Sequence, residues 1–142
     1  MAVRDGVISS VSPTINVDFA TNKNDQNYYG FITMDSGAAL SYIHEDCLKY
    51  CDYTIAGPRP GNFYGAGGDK LKLAPHLVNL RVSVPKIGIL GFKNVLVSRS
   101  EKPSLTMLVG RSDLERMNVV VNFAEGTVVI GKNKPIRMRP TH

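Results

Sequence analysis

Asp35, Ser36, Gly37 and Ala38 follow the apolar run Tyr28–Met34 without a break. A strand that ends in a carboxylate on a tight turn holds that acid rigidly at the floor of a cleft. Gly37 permits the turn and lets backbone N–H groups approach the carboxylate. Two carboxylates brought close cannot both ionise cheaply, so they share one proton and split into a base and an acid. Water held between them can attack a peptide carbonyl while the protonated partner supports the developing oxyanion, with no covalent intermediate and no metal. The chain contains no second Asp-Ser-Gly and no Asp-Thr-Gly. If Asp35 is catalytic, its partner must come from another copy of the chain. Asp-Ser-Gly is also an ordinary turn signal, so the tripeptide needs support from the rest of the chain.

The elements around it are short β-rich runs broken by glycine, proline, asparagine and aspartate. Residues 7–11, Thr14–Phe19 and Tyr28–Met34 read as strands, the last of them buried, with a polar turn at 22–27. Residues 42–50 carry a weak helical signal, and Gly57-Pro58-Arg59-Pro60-Gly61 breaks the chain. Phe63 and Tyr64 then lead into the glycine-rich tip Gly65-Ala66-Gly67-Gly68, which predicts a hairpin with a mobile end, placed where a lid could sit. Strands follow at 77–85 and 87–97, then a loop at 98–104. A second apolar strand, 105–109, is closed by Gly110. Ser112-Asp113-Leu114-Glu115 matches a capping box opening a short helix, and residues 119–123 and Thr127–Ile130 form a last hairpin. The pattern predicts an all-β domain with one or two short helices, arranged as a small barrel or sandwich.

At 142 residues the chain is expected to be one domain, residues 1–142, with a core spanning about 10–131 and a basic tail, 132–142. No stretch is apolar enough to span a bilayer, so no membrane partner is expected. The net charge of +5 is spread thinly, apart from Lys132, Lys134, Arg137 and Arg139 beyond the last acid. Without aromatic residues among them to stack bases, these read as a solvated linker, and nucleic acid is an unlikely partner of this domain. The two cysteines, Cys47 and Cys51, are too few for a disulfide scaffold and fit a reducing, cytoplasmic compartment. Zinc held by His44, Cys47, Cys51 and His76 is disfavoured, because the first three drift around a helix and no Cys-x-x-Cys exists. No metal and no cofactor are expected. The glycine-rich tip lacks the ending of a phosphate loop, and no serine sits in a recognised triad.

In their order and spacing, Met34-Asp35-Ser36-Gly37-Ala38, Phe63-Tyr64-Gly65-Ala66-Gly67-Gly68, and Leu108-Val109-Gly110-Arg111 followed by Ser112-Asp113-Leu114 resemble the retropepsin-like aspartic proteases of retroviruses, LTR retrotransposons and their cellular relatives. The resemblance implies a closed β-barrel of the acid-protease fold, active as a homodimer on extended peptide or polyprotein segments. By it, Asp35 is the catalytic acid, Ser36 forms an inter-subunit hydroxyl network, and Gly37 and Ala38 complete the turn. Phe63, Tyr64, Gly65, Ala66, Gly67 and Gly68 form a flap over substrate, Gly110 packs beneath the active-site loop, and Arg111 braces the dimer. Many viral members pair that arginine with an acid four residues after the catalytic aspartate. Here the position is Ala39, leaving the partner of Arg111 open. The proline-broken C-terminus is a poor interface strand, which points to the N-terminal strand or to residues 128–130 for dimerisation. The late Gly-Arg element favours a retroelement polyprotein protease, in the cytoplasm or in virus-like particles. Cys47 and Cys51 also fit the cellular ubiquitin-shuttle proteins with a retropepsin-like domain. A non-catalytic dimeric β-barrel binding module is the alternative of a different class.

Overall fold

The computed structural model describes residues 13–19, 28–65, 67–100 and 106–139. The expected strand at 7–11, the turn at 22–27, Ala66 and most of the loop at 98–104 lie outside them. Among the described residues there are ten strands and two short helices: β1 (Thr14–Phe19), β2 (Tyr28–Met34), β3 (Tyr42–His44), α1 (Glu45–Leu48), β4 (Asp52–Pro58), β5 (Leu73–Val84), β6 (Gly88–Ser98), β7 (Thr106–Val109), α2 (Arg111–Arg116), β8 (Val119–Asn122), β9 (Thr127–Ile130) and β10 (Ile136–Arg137).

Alternation sets the inward faces. In β1, Ile15, Val17 and Phe19 point into the core while Asn16 faces out. β2 is only half-buried, against the sequence expectation of a buried strand: Ile32 and Met34 point inward, and Tyr29 is 65% exposed. In β5 the consecutive residues Leu77 and Val78 are both buried, which strict alternation forbids. The pairing with β6 shifts on either side of them, and these irregularities re-aim the side chains. The main sheet runs β1-β2-β7-β3-β6-β5-β4, and an additional β1–β5 pairing at Asp18 and Ser83 closes β1, β2, β7, β3, β6 and β5 into a six-stranded barrel. Phe19, Phe92, Ile43, Leu80 and Met107 fill it.

Other parts of the structure also differ from the sequence reading. β4, which the reading passed over, is a flange paired to β5. Pro58 is tolerated there because an edge strand leaves one row of backbone groups unpaired. Residues 42–50 supply a strand first and then a single helical turn. The capping box does not form: α2 starts at Arg111 with Gly110 as N-cap and no side-chain cap, so Ser112 is already inside the helix. The helix ends at Arg116 with Met117 as C-cap, and the next residue, Asn118, has a φ of 53°, the left-handed conformation that asparagine tolerates.

The basic tail is also no linker. Ile136 and Arg137 pair with Val128 and Thr127, the Arg139 N–H donates to the Thr14 carbonyl at 2.7 Å, and the Arg139 guanidinium lies 4.4 Å from the Phe31 ring centre. This second sheet has the order β10-β9-β8. β9 is thus paired to β8 along its whole length and to β10 at Thr127 and Val128. The outer edge of β8 has no strand beside it among the described residues.

Candidate active site

Asp35 is fixed from both sides of its turn. β2 runs parallel to β7 with Met34 opposite Val109, so the Asp35 N–H reaches the Val109 carbonyl at 2.9 Å. The Ala38 N–H closes the turn on the Asp35 carbonyl at 3.1 Å. The Gly37 N–H donates to Asp35 Oδ1 at 2.9 Å. A backbone N–H aimed at a carboxylate oxygen orients it. A Cβ on Gly37 would stand 3.2 Å from the same oxygen and crowd it. Asp35 is half-buried, whereas Ser36 and Gly37 are exposed.

The segment after β7 supports this turn. An ideal Cβ on Gly110 would lie 2.5 Å from the backbone C and O of Leu40 and 2.9 Å from the Ala38 carbonyl oxygen. Only glycine lets the two segments come this close. With that approach made, the N–H groups of Arg111 and Ser112 donate to the Ala38 and Ala39 carbonyls at 2.7 and 3.2 Å. The open question of Arg111 has an answer within the chain: its Nη1 donates to the Ser36 carbonyl at 3.1 Å.

The glycine-rich hairpin stands over the same place. Tyr64 bridges Lys70, the Leu71 N–H donates to the Phe63 carbonyl at 2.9 Å, and Gly65 bonds the Asp69 carbonyl at 2.8 Å. Phe63, Tyr64 and Gly65 share with Asp35, Gly37 and Ala38 one cleft of about 640 Å³. Its remaining wall is apolar apart from the Tyr42 hydroxyl, with Leu40, Leu96 and Leu108 among its residues. Gly67 and Gly68 do not line it. The hairpin base is pinned by Arg59, whose Nε donates to the Ala74 carbonyl at 3.1 Å, with the guanidinium also on the Gly61 carbonyl. Ser36 and Arg111 instead line a second groove of about 660 Å³ with Met34, Val119, Val121 and Phe123.

The zinc alternative loses ground on geometry. His44 Nδ1 accepts the Asp46 N–H at 3.0 Å and Nε2 donates to the Ser100 carbonyl at 2.8 Å, so both ring nitrogens are taken. The hydrogen bond with the Cys47 thiol, and then burial, push the Cys51 thiol well up from its ordinary value, which keeps it protonated and unreactive. Sequence reasoning missed the cleft floor, Leu40, Tyr42, Leu96 and Leu108, and it missed Ser41 and Asp113. Asp113 read as a first-turn helix acid. It is 1% exposed, and its i,i+3 spacing to Arg116 was the available signal for a buried ion pair.

No protein-family model matches the chain, and no curated protein matches it. Among solved structures it is similar to the retroviral protease-like domain of Ddi1 from Leishmania major, with a TM-score of 0.56 and 13% sequence identity, over 92% of this chain and 95% of that one. At that identity the likeness speaks for the fold. With the closed, mostly β barrel and its two short helices, the chain has a retropepsin-like fold.

Proposed function

We propose that this chain is an aspartic endopeptidase, active as a homodimer, that cuts extended peptide segments, and that its substrate is a retroelement polyprotein. The observation that carries the reading is the shared cleft: one carboxylate, oriented by the Gly37 N–H, faces a glycine-rich hairpin across apolar walls. A water-accessible acid on an apolar floor under a hairpin suits a strand-like substrate with apolar side chains beside the scissile bond.

In the proposed reaction, the Asp35 carboxylates of two copies share one proton. The ionised one takes a proton from water as its oxygen adds to the peptide carbonyl carbon, and the protonated one donates to the carbonyl oxygen. Collapse of the tetrahedral species breaks the C–N bond, and the amine leaves with a proton from the dyad. Phe63, Tyr64, Gly65 and Leu71 cover the substrate and exclude water. The second groove, with Ser36 and Arg111 beside the edge of β8 that no described strand pairs, is the face for the second copy. Phe123, which lines it, is 65% exposed, which fits a surface that another chain covers.

The test is cleavage of a peptide mixture between about pH 4 and 7, with wild type and Asp35→Asn compared. The variant is expected to fold normally and to lose all cleavage. Cleavage retained by Asp35→Asn would sink the proposal.

A further inference from the structure

Asp113 is almost fully buried, yet it takes no part in the chemistry proposed above. Its Oδ2 accepts the Ser41 hydroxyl at 2.5 Å. Its Oδ1 accepts Arg116 Nη2 at 2.8 Å and the Lys93 N–H at 3.2 Å. Ser41 is fully buried, and its Oγ accepts the Gly110 N–H at 3.0 Å. A backbone N–H can only donate, so the single hydroxyl hydrogen of Ser41 is committed to Asp113. The relay therefore has one direction: Gly110 donates to Ser41, and Ser41 donates to Asp113. Gly110 is the residue that lies against Leu40, and its successors Arg111 and Ser112 hold the Ala38 and Ala39 carbonyls. One end of the relay is thus the segment that supports the Asp35 turn. The other end is Arg116, which also donates to the Gly91 carbonyl of β6 at 2.6 Å.

We propose that Asp113 is a positioning residue: acting through Ser41 and Gly110, it sets where the 35–38 turn, and hence the Asp35 carboxylate, sits on the cleft floor. The proposal rests on Asp35 being the catalytic acid. A merely structural role for Asp113 would show as lost stability alone. Asp113→Asn separates the two, because it keeps the shape but cannot keep the bonds. An amide has one acceptor oxygen, whereas Asp113 presents acceptors to Ser41 on one side and to Arg116 and Lys93 on the other. With its oxygen towards Arg116 and Lys93, the amide turns an N–H to Ser41 and leaves the Ser41 hydrogen without its acceptor; turned the other way, the N–H meets two donors. Ser41→Ala breaks the same relay while leaving the Asp113–Arg116 pair in place.

The experiment measures kcat and KM on a cleaved peptide, together with the amide resonance of Gly37, whose N–H is bonded to Asp35, in Asp113→Asn, Ser41→Ala and Ser41→Thr. Loss of positioning is expected to lower kcat about tenfold or more with KM within about twofold, because the substrate walls are untouched. The Gly37 resonance is expected to move in both relay-breaking variants. Ser41→Thr keeps the hydroxyl and is expected to recover most of the loss seen in Ser41→Ala. A lowered unfolding midpoint with wild-type kcat and an unmoved Gly37 resonance overturns the proposal. If Asp113→Asn does not fold, Ser41→Ala decides by the same two signals. If the wild type cleaves nothing, the catalytic reading fails separately, and the Gly37 resonance still decides whether the relay sets the turn.

Discussion

Gly110→Ala puts the largest steric demand on the smallest change. The Gly110 φ of −90° is open to any residue, so alanine meets no backbone strain there. Its methyl, however, would stand 2.5 Å from two backbone atoms of Leu40 and 2.9 Å from the Ala38 oxygen. All three belong to main chain, which cannot rotate aside as a flexible side chain does. Relief requires the segment after β7 to move off the Asp35 turn. Overpacking of this kind costs about 1–3 kcal/mol. Separation also weakens the bonds from Arg111 and Ser112 to Ala38 and Ala39, each worth about 1 kcal/mol net. The expected loss is about 3–5 kcal/mol, a large part of the roughly 5–15 kcal/mol that stabilises a typical domain. Urea unfolding followed by circular dichroism reads it as a lower midpoint at unchanged slope. The control is Gly91→Ala, where a Cβ meets nothing within 4 Å, and the change should stay within about 0.5 kcal/mol. A loss below about 1 kcal/mol for Gly110→Ala would show that the close approach does not hold the turn.

Three further outcomes are expected. The raised Cys51 thiol keeps its proton in the folded state, while an unfolded thiol releases it above about pH 9, so stability is present below that pH and falls above it by up to about 1.4 kcal/mol per pH unit. Cys51→Ala should flatten that alkaline fall, and identical slopes would refute the assignment. Arg59→Ala removes the pin at the hairpin base, so the Leu71 amide, bonded to the Phe63 carbonyl, should exchange about tenfold faster in hydrogen exchange while amides in β9 stay unchanged. Equal protection in the two proteins would show that Arg59 does not restrain the hairpin. Val120→Asp places a charge on exposed β8, where it should leave the fold intact by circular dichroism but shift sedimentation to the monomer. An undiminished dimer would move the interface elsewhere.

Strong local patterns carried the fold reading. β1 and β2 were legible to the residue because β1 alternates cleanly and β2 is a continuous apolar run that ends at Asp-Ser-Gly. β4 was not, because its residues are exposed or half-buried and leave no period to read. Gly57 and Pro58, which read as a break, fit at an edge. The tail was misread because two short contacts decide it: Ile136 beside Val128, and Arg139 over Phe31. At the site, the Asp35 turn and the hairpin were visible as residue types. The floor was not, since Leu40, Tyr42, Leu96 and Leu108 meet only after β3, β6 and β7 are placed side by side. Asp113 shows the same limit. Its partners Ser41 and Lys93 lie 72 and 20 residues away, and the i,i+3 spacing to Arg116, the one local signal, does not reveal them.

The central claim is that each chain brings half of the catalytic pair, and mixing tests it most directly. Wild type is exchanged with increasing amounts of Asp35→Asn at constant total protein, and peptide cleavage is followed. If both carboxylates are needed, activity falls with the square of the wild-type fraction, to about a quarter in an equal mixture. A linear fall, to about half in the equal mixture, would mean that each chain cuts alone and would contradict the account.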